Sequence, residues 1–253
     1  MQCAQYFLEL DFLVFSSHKS GTQTLRNSLR ASGYKAAHCH NVRHLGLRHD
    51  EFESYLNQYS QQRGKKLDLI TVFREPIDRH ISSFFQGYGS RPLAKKLVAD
   101  KTETLIYQMK PCDLCDLFIS ELESESLIGF SESIHEIATE LRFNPSDLLF
   151  DNQRGFSVFE TSNVRVFLFR FDSLFSNFSA LMGEITDRSF IVQSSNMSER
   201  KWYRETYLAF RNQLAIPSSI IEKTYKKKED LIKLFYSGSF ETPLRNAIAM
   251  YGI

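Results

Sequence analysis

The sequence predicts a three-layer α/β/α fold, in which helices cover both faces of a central parallel sheet. Short apolar runs of the kind that form buried strands alternate along the chain with longer stretches of helical periodicity. Such alternation is typical of βαβ units, whose strands are parallel. Because 42% of the 253 residues are apolar, the chain can bury a sizeable core, and we expect one domain over residues 1–253.

Each element is predicted from its own pattern of apolar residues. Strands are expected in the apolar segments 12–17, 34–39, 67–73 and 163–170. Helices are expected at 22–32, 48–62, 76–87, 113–126, 131–142, 173–185, 200–213 and 218–236. The segment 88–160 is predicted to be a helix-rich insertion that contains an irregular stretch from Phe143 to Glu160.

Composition excludes several classes of partner. The 31 basic and 30 acidic residues give a net charge of +1, so no global field favours a nucleic acid or an anionic membrane. The apolar segment Tyr6–Phe15 is too short to span a bilayer and is interrupted by acidic residues, and we expect a cytoplasmic protein without a membrane span. Cys112 and Cys115 have CxxC spacing, but no second pair or flanking histidine completes a metal site, and we expect reduced thiols.

The segment Phe12–Leu25 predicts a phosphate-binding loop between a buried strand and a helix. Lys19, Ser20, Gly21 and Thr22 supply in order a cation, a hydroxyl, a residue suited to positive φ and a helix-starting hydroxyl. Backbone N–H groups at a helix start form an anion site that a nearby lysine strengthens. The lysine precedes the glycine, so this is not the P-loop of ATPases and GTPases, and a solvated lysine in an ordinary β-turn-α connection is the alternative.

A second phosphate site is predicted after the strand 67–73. Arg74 stands at the carboxyl end of that strand, and Pro76 suits the first turn of the helix that follows. Ser82 lies about two helical turns further on and shares a face with Arg79. A guanidinium and a hydroxyl that converge there can clamp a phosphate. The alternative is that Arg74 pairs with Glu75 or Asp78 at the surface and that Ser82 only packs.

The two segments together resemble the paired nucleotide-binding motifs of sulfotransferases that use 3′-phosphoadenosine 5′-phosphosulfate. Lys19-Ser-Gly-Thr is similar to the first motif, and Arg74-x-Pro-x-x-Arg79-x-x-Ser82 is similar to the second. His18 stands where the family commonly has proline, and Gln23 interrupts its usual pair of threonines. The resemblance implies a fold like that of P-loop NTPases. It also implies that the 5′-phosphosulfate is held by Lys19, Ser20, Gly21, Thr22, Gln23 and Thr24, and the 3′-phosphate by Arg74 and Ser82.

Two further segments extend the resemblance. Val164–Leu174 is similar to the family's strand that ends in an aromatic-acidic-x-Leu turn, and the run from Asn196 to Tyr236 is similar to the tail of bacterial capsular-polysaccharide-type and carbohydrate sulfotransferases. The resemblance implies that Arg200 and Lys201 approach the 3′-phosphate, although a solvated helix face is an equal alternative. It implies a sulfotransferase of polysaccharide biosynthesis with no required metal.

The segment Tyr34–Asn41 offers the general base that sulfuryl transfer to a hydroxyl requires. Histidine titrates near neutrality, and His40 and His38 share one face of the predicted strand. We expect His40 as the base, because it is nearer to the strand end, with His38 as the second candidate and His18, Asp50 or Glu51 as further ones. A metal-ligating pair and a structural pair are the other interpretations.

The sequence therefore predicts an enzyme that moves a sulfuryl group to a hydroxyl of a carbohydrate or similar acceptor. Lys19 would stabilise the charge of the departing phosphate, while His40 takes the acceptor's proton. Two other classes stay open: a nucleotide-dependent phosphotransferase, which needs a magnesium-binding carboxylate, and a non-catalytic binding module on the same fold.

Overall fold

The computed structural model describes residues 2–87, 109–124, 133–186, 190, 192 and 203–253. The chain forms two compact units. The first consists of Met1–Arg74, Ser131–Ser195 and Lys233–Gly238, and the second of Glu75–Phe130, Asn196–Ile232 and Ser239–Ile253. The single domain inferred from the sequence stays a prediction. Arg200 and Lys201, two of the predicted phosphate ligands, lie outside the described residues.

The described part of the first unit contains a five-stranded sheet with the strand order β2-β1-β3-β5-β4. Four strands are parallel, and β4 pairs with β5 in the antiparallel direction. The strands are β1 (Phe12–Phe15), β2 (Ala36–Cys39), β3 (Leu67–Phe73), β4 (Phe156–Glu160) and β5 (Val164–Arg170). The predicted α/β class with a central, mostly parallel sheet flanked by helices is thereby confirmed.

Eleven α-helices occur among the described residues of the two units. In chain order they are α1 (Gln2–Leu8), α2 (Thr22–Ala31), α3 (His49–Arg63), α4 (Pro76–Gly87), α5 (Pro111–Glu123), α6 (Ser133–Leu141), α7 (Leu174–Ile185), α8 (Arg204–Gln213), α9 (Ser218–Lys226), α10 (Glu229–Phe235) and α11 (Glu241–Tyr251). Short 3₁₀ helices span Val42–Leu45 and Pro145–Asp147. Within the described ranges, no helix is both long and apolar enough to cross a membrane.

Burial on both faces explains the apolar runs of the central strands. Five consecutive residues of β3, from Leu69 to Phe73, are buried, and so are four of β5, from Val166 to Phe169. Asp68 and Arg165, which face each other in the β3–β5 register, form a two-pronged ion pair with both N–O distances at 2.8 Å. In the second unit, Phe84 packs against Phe118 with ring centroids 5.3 Å apart.

Two predicted elements differ from the structure. The stretch Phe143–Glu160 was expected to be irregular, yet its last five residues form β4. A tight turn pairs β4 with β5, in which the Thr161 N–H donates to the Val164 carbonyl at 2.9 Å. The expected helix 218–236 is two helices, α9 and α10, which are separated at Lys227 and Lys228. Short edge strands and breaks between successive helices depend on tertiary pairing more than on apolar periodicity.

The strand order places a switch point between β1 and β3. The chain leaves β1 through α2 toward β2 on one side, whereas β3 lies on the other side of β1. In open parallel sheets, ligands bind in the crevice that forms at the carboxyl ends of strands at such a point. The two predicted phosphate loops begin at these strand ends, directly after Phe15 and Phe73.

Candidate functional site

The loop after β1 contains two left-handed residues shortly before a helix begins. Lys19 has φ of +69° and Gly21 has φ of +76°, both in the left-handed region, and α2 begins at Thr22. No side chain caps this helix start among the described residues. The Ser20 hydroxyl is completely buried and has no hydrogen-bond partner in the described part of the chain. A buried hydroxyl of this kind is costly unless a ligand satisfies it.

Gly21 is required by space as well as by its dihedral angle. A Cβ atom at this position would lie 3.3 Å from Cε2 of Phe171 and 3.5 Å from Cδ2 of Leu174. Both of those residues follow β5. The turn after β1 is thus packed against the turn after β5, and a side chain at position 21 would push the two apart.

Arg74 reaches the same loop from the end of β3. Its Nη1 donates to the Lys19 carbonyl oxygen at 2.9 Å, and its Cζ lies 4.3 Å from the centroid of the Phe171 ring. The Phe171 N–H in turn donates to the Phe73 carbonyl at 2.8 Å. The structure therefore brings Lys19 and Arg74 together at the carboxyl ends of β1 and β3.

Ser16 joins β1 to β3 immediately before the loop. Its buried hydroxyl donates to the Val72 carbonyl and accepts from the Val72 N–H, each at 3.0 Å. The side chain thereby continues the pairing of the two strands for one more position after β1 ends. The phosphate loop consequently starts from a fixed point.

The other residues predicted for the phosphosulfate lie at the start of α2. Thr22 and Thr24 are buried, whereas Gln23 is exposed. Ser82 lies on α4 in the second unit, where its side chain is buried. Its role at the 3′-phosphate stays a prediction.

Four histidines form a cluster at the carboxyl end of β2. The His18 and His40 rings have centroids 3.6 Å apart and planes tilted by 33°, and the centroids of the His38 and His44 rings lie 5.7 Å and 5.6 Å from that of His40. Nδ1 of His40 lies 2.7 Å from the Ser16 carbonyl oxygen. A carbonyl only accepts, so Nδ1 carries the proton and Nε2 of the neutral ring holds the lone pair that a base needs.

His38 is less suited than His40 to act as a base. Arg26 Nη1 lies 3.1 Å from Nδ1 of His38, and because a guanidinium only donates, this nitrogen is the acceptor. The proton of the neutral ring therefore sits on Nε2. Burial first, and then the positive charge of Arg26, lower the pKa of His38 to about 4. The order of the two candidate bases, with His40 before His38, stays a prediction.

The start of α4 is organised differently from the start of α2. The Glu75 carboxylate accepts from the N–H groups of Ile77 at 2.8 Å and Asp78 at 2.6 Å, and from the Tyr225 hydroxyl at 2.6 Å. Burial raises the pKa of this carboxyl. Asp78 accepts from Arg211 at 2.7 Å. The expected alternative partners of Arg74 thus have other partners within the second unit.

Several contributors to the site were not predicted from the sequence. The Phe171 ring packs against both Gly21 and Arg74, and the Glu75 carboxylate caps α4. Nδ1 of His44 accepts from the His40 N–H at 3.3 Å. The Glu-Pro pair at 75–76 is a recognisable helix-start signal that could have identified the cap. No local sequence pattern identifies Phe171 or His44 as part of the site. Glu51, a further candidate base, accepts from the Arg48 N–H at the start of α3.

No family model matches the chain, and neither a curated protein nor a solved structure matches it. Among the described residues, the His, Cys, Asp and Glu side chains form no group of three or more that could hold a metal ion.

Proposed function

We propose that the protein is a sulfotransferase that moves a sulfuryl group from 3′-phosphoadenosine 5′-phosphosulfate to a hydroxyl of a carbohydrate or similar acceptor. The observation that carries this proposal is the start of α2, where a buried Ser20 hydroxyl without a partner in the described chain stands at a helix end that no described side chain caps. We further propose that the sheet belongs to the P-loop-like sulfotransferase fold and that the enzyme acts in the cytoplasm.

Charge and hydrogen-bonding capacity at this loop fit the phosphosulfate end of the donor. The positive end of the α2 dipole and its first N–H groups attract an anion, and the Ser20 hydroxyl can donate to one of its oxygens. Lys19 adds a compact positive charge, and Arg74, whose guanidinium donates to the Lys19 carbonyl, helps to hold the loop in place. We assign the 3′-phosphate to Arg74 and Ser82.

The transfer step needs one base and one stabiliser of negative charge. Nε2 of His40 takes the proton of the acceptor hydroxyl as its oxygen forms a bond to sulfur. The bond between sulfur and the bridging phosphate oxygen breaks, and the negative charge moves to that oxygen. Lys19 and the N–H groups at the start of α2 stabilise that charge, because they are already oriented before the reaction.

Thermal unfolding in the presence of nucleotides tests the proposed donor. Adenosine 3′,5′-bisphosphate at 100 times its dissociation constant should stabilise the fold by about 2.7 kcal/mol, and ATP with Mg²⁺ should stabilise it much less. Arg74→Ala should weaken bisphosphate binding about tenfold or more, because a charge-assisted contact is lost, while Arg43→Ala, which removes an exposed arginine on the 3₁₀ helix, should not.

The rival functions give different results in the same assay. No stabilisation by millimolar bisphosphate would refute the sulfotransferase, and a larger shift with ATP and Mg²⁺ would favour the phosphotransferase. A protein that binds neither nucleotide would favour the non-catalytic module. Arg74→Lys keeps the charge and checks that a loss in the alanine variant reflects the site and not the fold.

His40→Ala tests the proposed base. Release of adenosine 3′,5′-bisphosphate from the donor, measured with a panel of neutral and acidic polysaccharides, should fall about 10²-fold or more, because general-base catalysis contributes at least that much. Bisphosphate binding should be retained. His135→Ala, which changes an exposed histidine on α6, is the control. Unchanged turnover in His40→Ala would move the base to His38, His18 or an acidic residue.

A further inference from the structure

A pocket of about 370 Å³ lies in the first unit along the outer side of β2, the edge strand of the sheet. Phe7, Leu10 and Leu45 contribute apolar surface to it, and Arg26, Arg30 and His38 contribute polar groups. The volume is in the range of pockets that hold small organic molecules. His38 is common to this pocket and to the histidine cluster, so the two features adjoin.

Two guanidinium groups give this pocket the positive charge that an anion requires. Arg26 and Arg30 are four residues apart on α2, so both lie on the same side of the helix. Within the described ranges, neither forms an ion pair with a carboxylate. The two positive charges repel each other. Burial is the largest cause of the lowered pKa of Arg26, and the charge of Arg30 is the second.

The arginines are held in place but keep donors for a ligand. Arg30 donates from Nε to the Ala36 carbonyl at 2.8 Å and from Nη2 to the Tyr6 hydroxyl at 3.0 Å. Arg26 donates to the Asn27 side chain from Nε and Nη2, and its Nη1 contacts His38. A guanidinium has five N–H donors, so Arg30 has three left after these two contacts, and Arg26 has two left after these three.

The pKa of His38 is lowered by the positive charges in this pocket. After burial, the charge of Arg26 is the largest cause of its low pKa, and Arg30 acts in the same direction. At neutral pH the ring is therefore uncharged, and its Nε2–H is a donor. Arginine donors and an uncharged imidazole N–H beside an apolar wall match a molecule with one acidic group and an apolar body.

We propose that this pocket binds a small organic anion, whose carboxylate or sulfate group is held by Arg26 and Arg30 and whose apolar part lies against Phe7, Leu10 and Leu45. The occupied pocket would relieve the repulsion between the two guanidinium groups. The proposed pocket is distinct from the assigned donor site, because it contains no residue assigned to the donor, although it includes His38, the second candidate base.

Naphthalene-2-carboxylate is a suitable probe, since it combines an acidic group with an apolar body. Its binding is measured by titration of the backbone amide resonances of the ¹⁵N-labelled protein. The amides of Leu10, Ala37 and Leu45 should shift with a common dissociation constant. Neutral 2-naphthylmethanol and inorganic sulfate, each of which has one of the two features, should bind at least tenfold more weakly.

Three variants identify the contacts. Arg26→Gln and Arg30→Gln should each weaken binding of the carboxylate about tenfold, and Arg43→Gln should leave it unchanged. Arg30→Lys keeps the charge if the glutamine variant does not fold. Equal binding of the neutral alcohol, an equal loss in Arg43→Gln, or shifts confined to the Lys19 loop would overturn the proposal. Adenosine 3′,5′-bisphosphate in a separate titration distinguishes this outcome from a failure of the sulfotransferase function.

Discussion

Helices α2 and α4 each follow a parallel strand, and their N-termini are satisfied in opposite ways. At α2, the described residues provide no side-chain cap, and the Ser20 hydroxyl beside it is buried without a partner among them. At α4, the chain supplies its own anion, because the Glu75 carboxylate accepts from two of the first N–H groups. The two starts have the same dipole and similar exposed donors before capping.

The difference indicates how each predicted phosphate site can work. An external anion can use the α2 N-terminus, whereas at α4 it would compete with a carboxylate that the Tyr225 hydroxyl also holds, at 2.6 Å. A phosphate after β3 must therefore depend on side chains such as Arg74 and not on the helix end. The first site has a backbone component and the second does not.

Glu75→Ala should have the largest effect on stability. It removes a cap and leaves the Tyr225 hydroxyl and two N–H groups without their acceptor, which should lower the free energy of unfolding by about 2–3 kcal/mol. Urea denaturation measures this change. Glu75→Gln keeps one acceptor oxygen and should cost about half as much. If both variants were as stable as the wild type, the two helix starts would not differ in the way described.

Gly21→Ala should have an intermediate effect on stability and a larger one on binding. An alanine at a φ of +76°, with its Cβ 3.3 Å from Phe171, should lower the free energy of unfolding by about 1–2 kcal/mol. The displaced turn should weaken adenosine 3′,5′-bisphosphate binding in calorimetric titration. Gly64→Ala is the matched control, since its φ is +63° but no atom lies within 4 Å of the added Cβ. Equal effects of the two changes on binding would contradict a role for the turn.

Lys19→Gly should have the smallest effect on stability, and it should stabilise the protein where the changes at Glu75 and Gly21 destabilise it. Relief of the left-handed conformation at a φ of +69° should raise the free energy of unfolding by at most about 1 kcal/mol. Bisphosphate affinity should fall because the charge is lost. Ser237→Gly, at a φ of +56°, should stabilise the protein without changing affinity. A Lys19→Gly variant with unchanged affinity would remove the lysine from the proposed site.

The sequence was most informative where one local pattern determines the outcome. The bounds of β3 were predicted to the residue, because a run of buried apolar residues ends at Arg74 and Pro76. The positive φ of Gly21 was expected from residue type alone, whereas the left-handed conformation of Lys19 was not. Arg74 was expected at the carboxyl end of a strand, where β3 places it.

What the sequence did not predict depends on contacts between distant segments. Phe171 is one of 22 phenylalanines, and only the folded chain shows that its ring meets Gly21 and Arg74. The contact between the His18 and His40 rings joins residues on separate segments. β4 was missed because its apolar residues do not mark one buried face. Phe156 is buried, whereas Val158, on the same side of the strand, is 42% exposed.

The Phe171 ring has a consequence for how the site can change in evolution. It limits the size of residue 21 and at the same time faces the guanidinium of Arg74, so a substitution at any one of these three positions alters the surroundings of the other two. The energetic effects of changes at positions in contact do not add. Substitutions at positions 21, 74 and 171 should therefore be tolerated in combination more often than singly, and the three should co-vary among descendants of this chain.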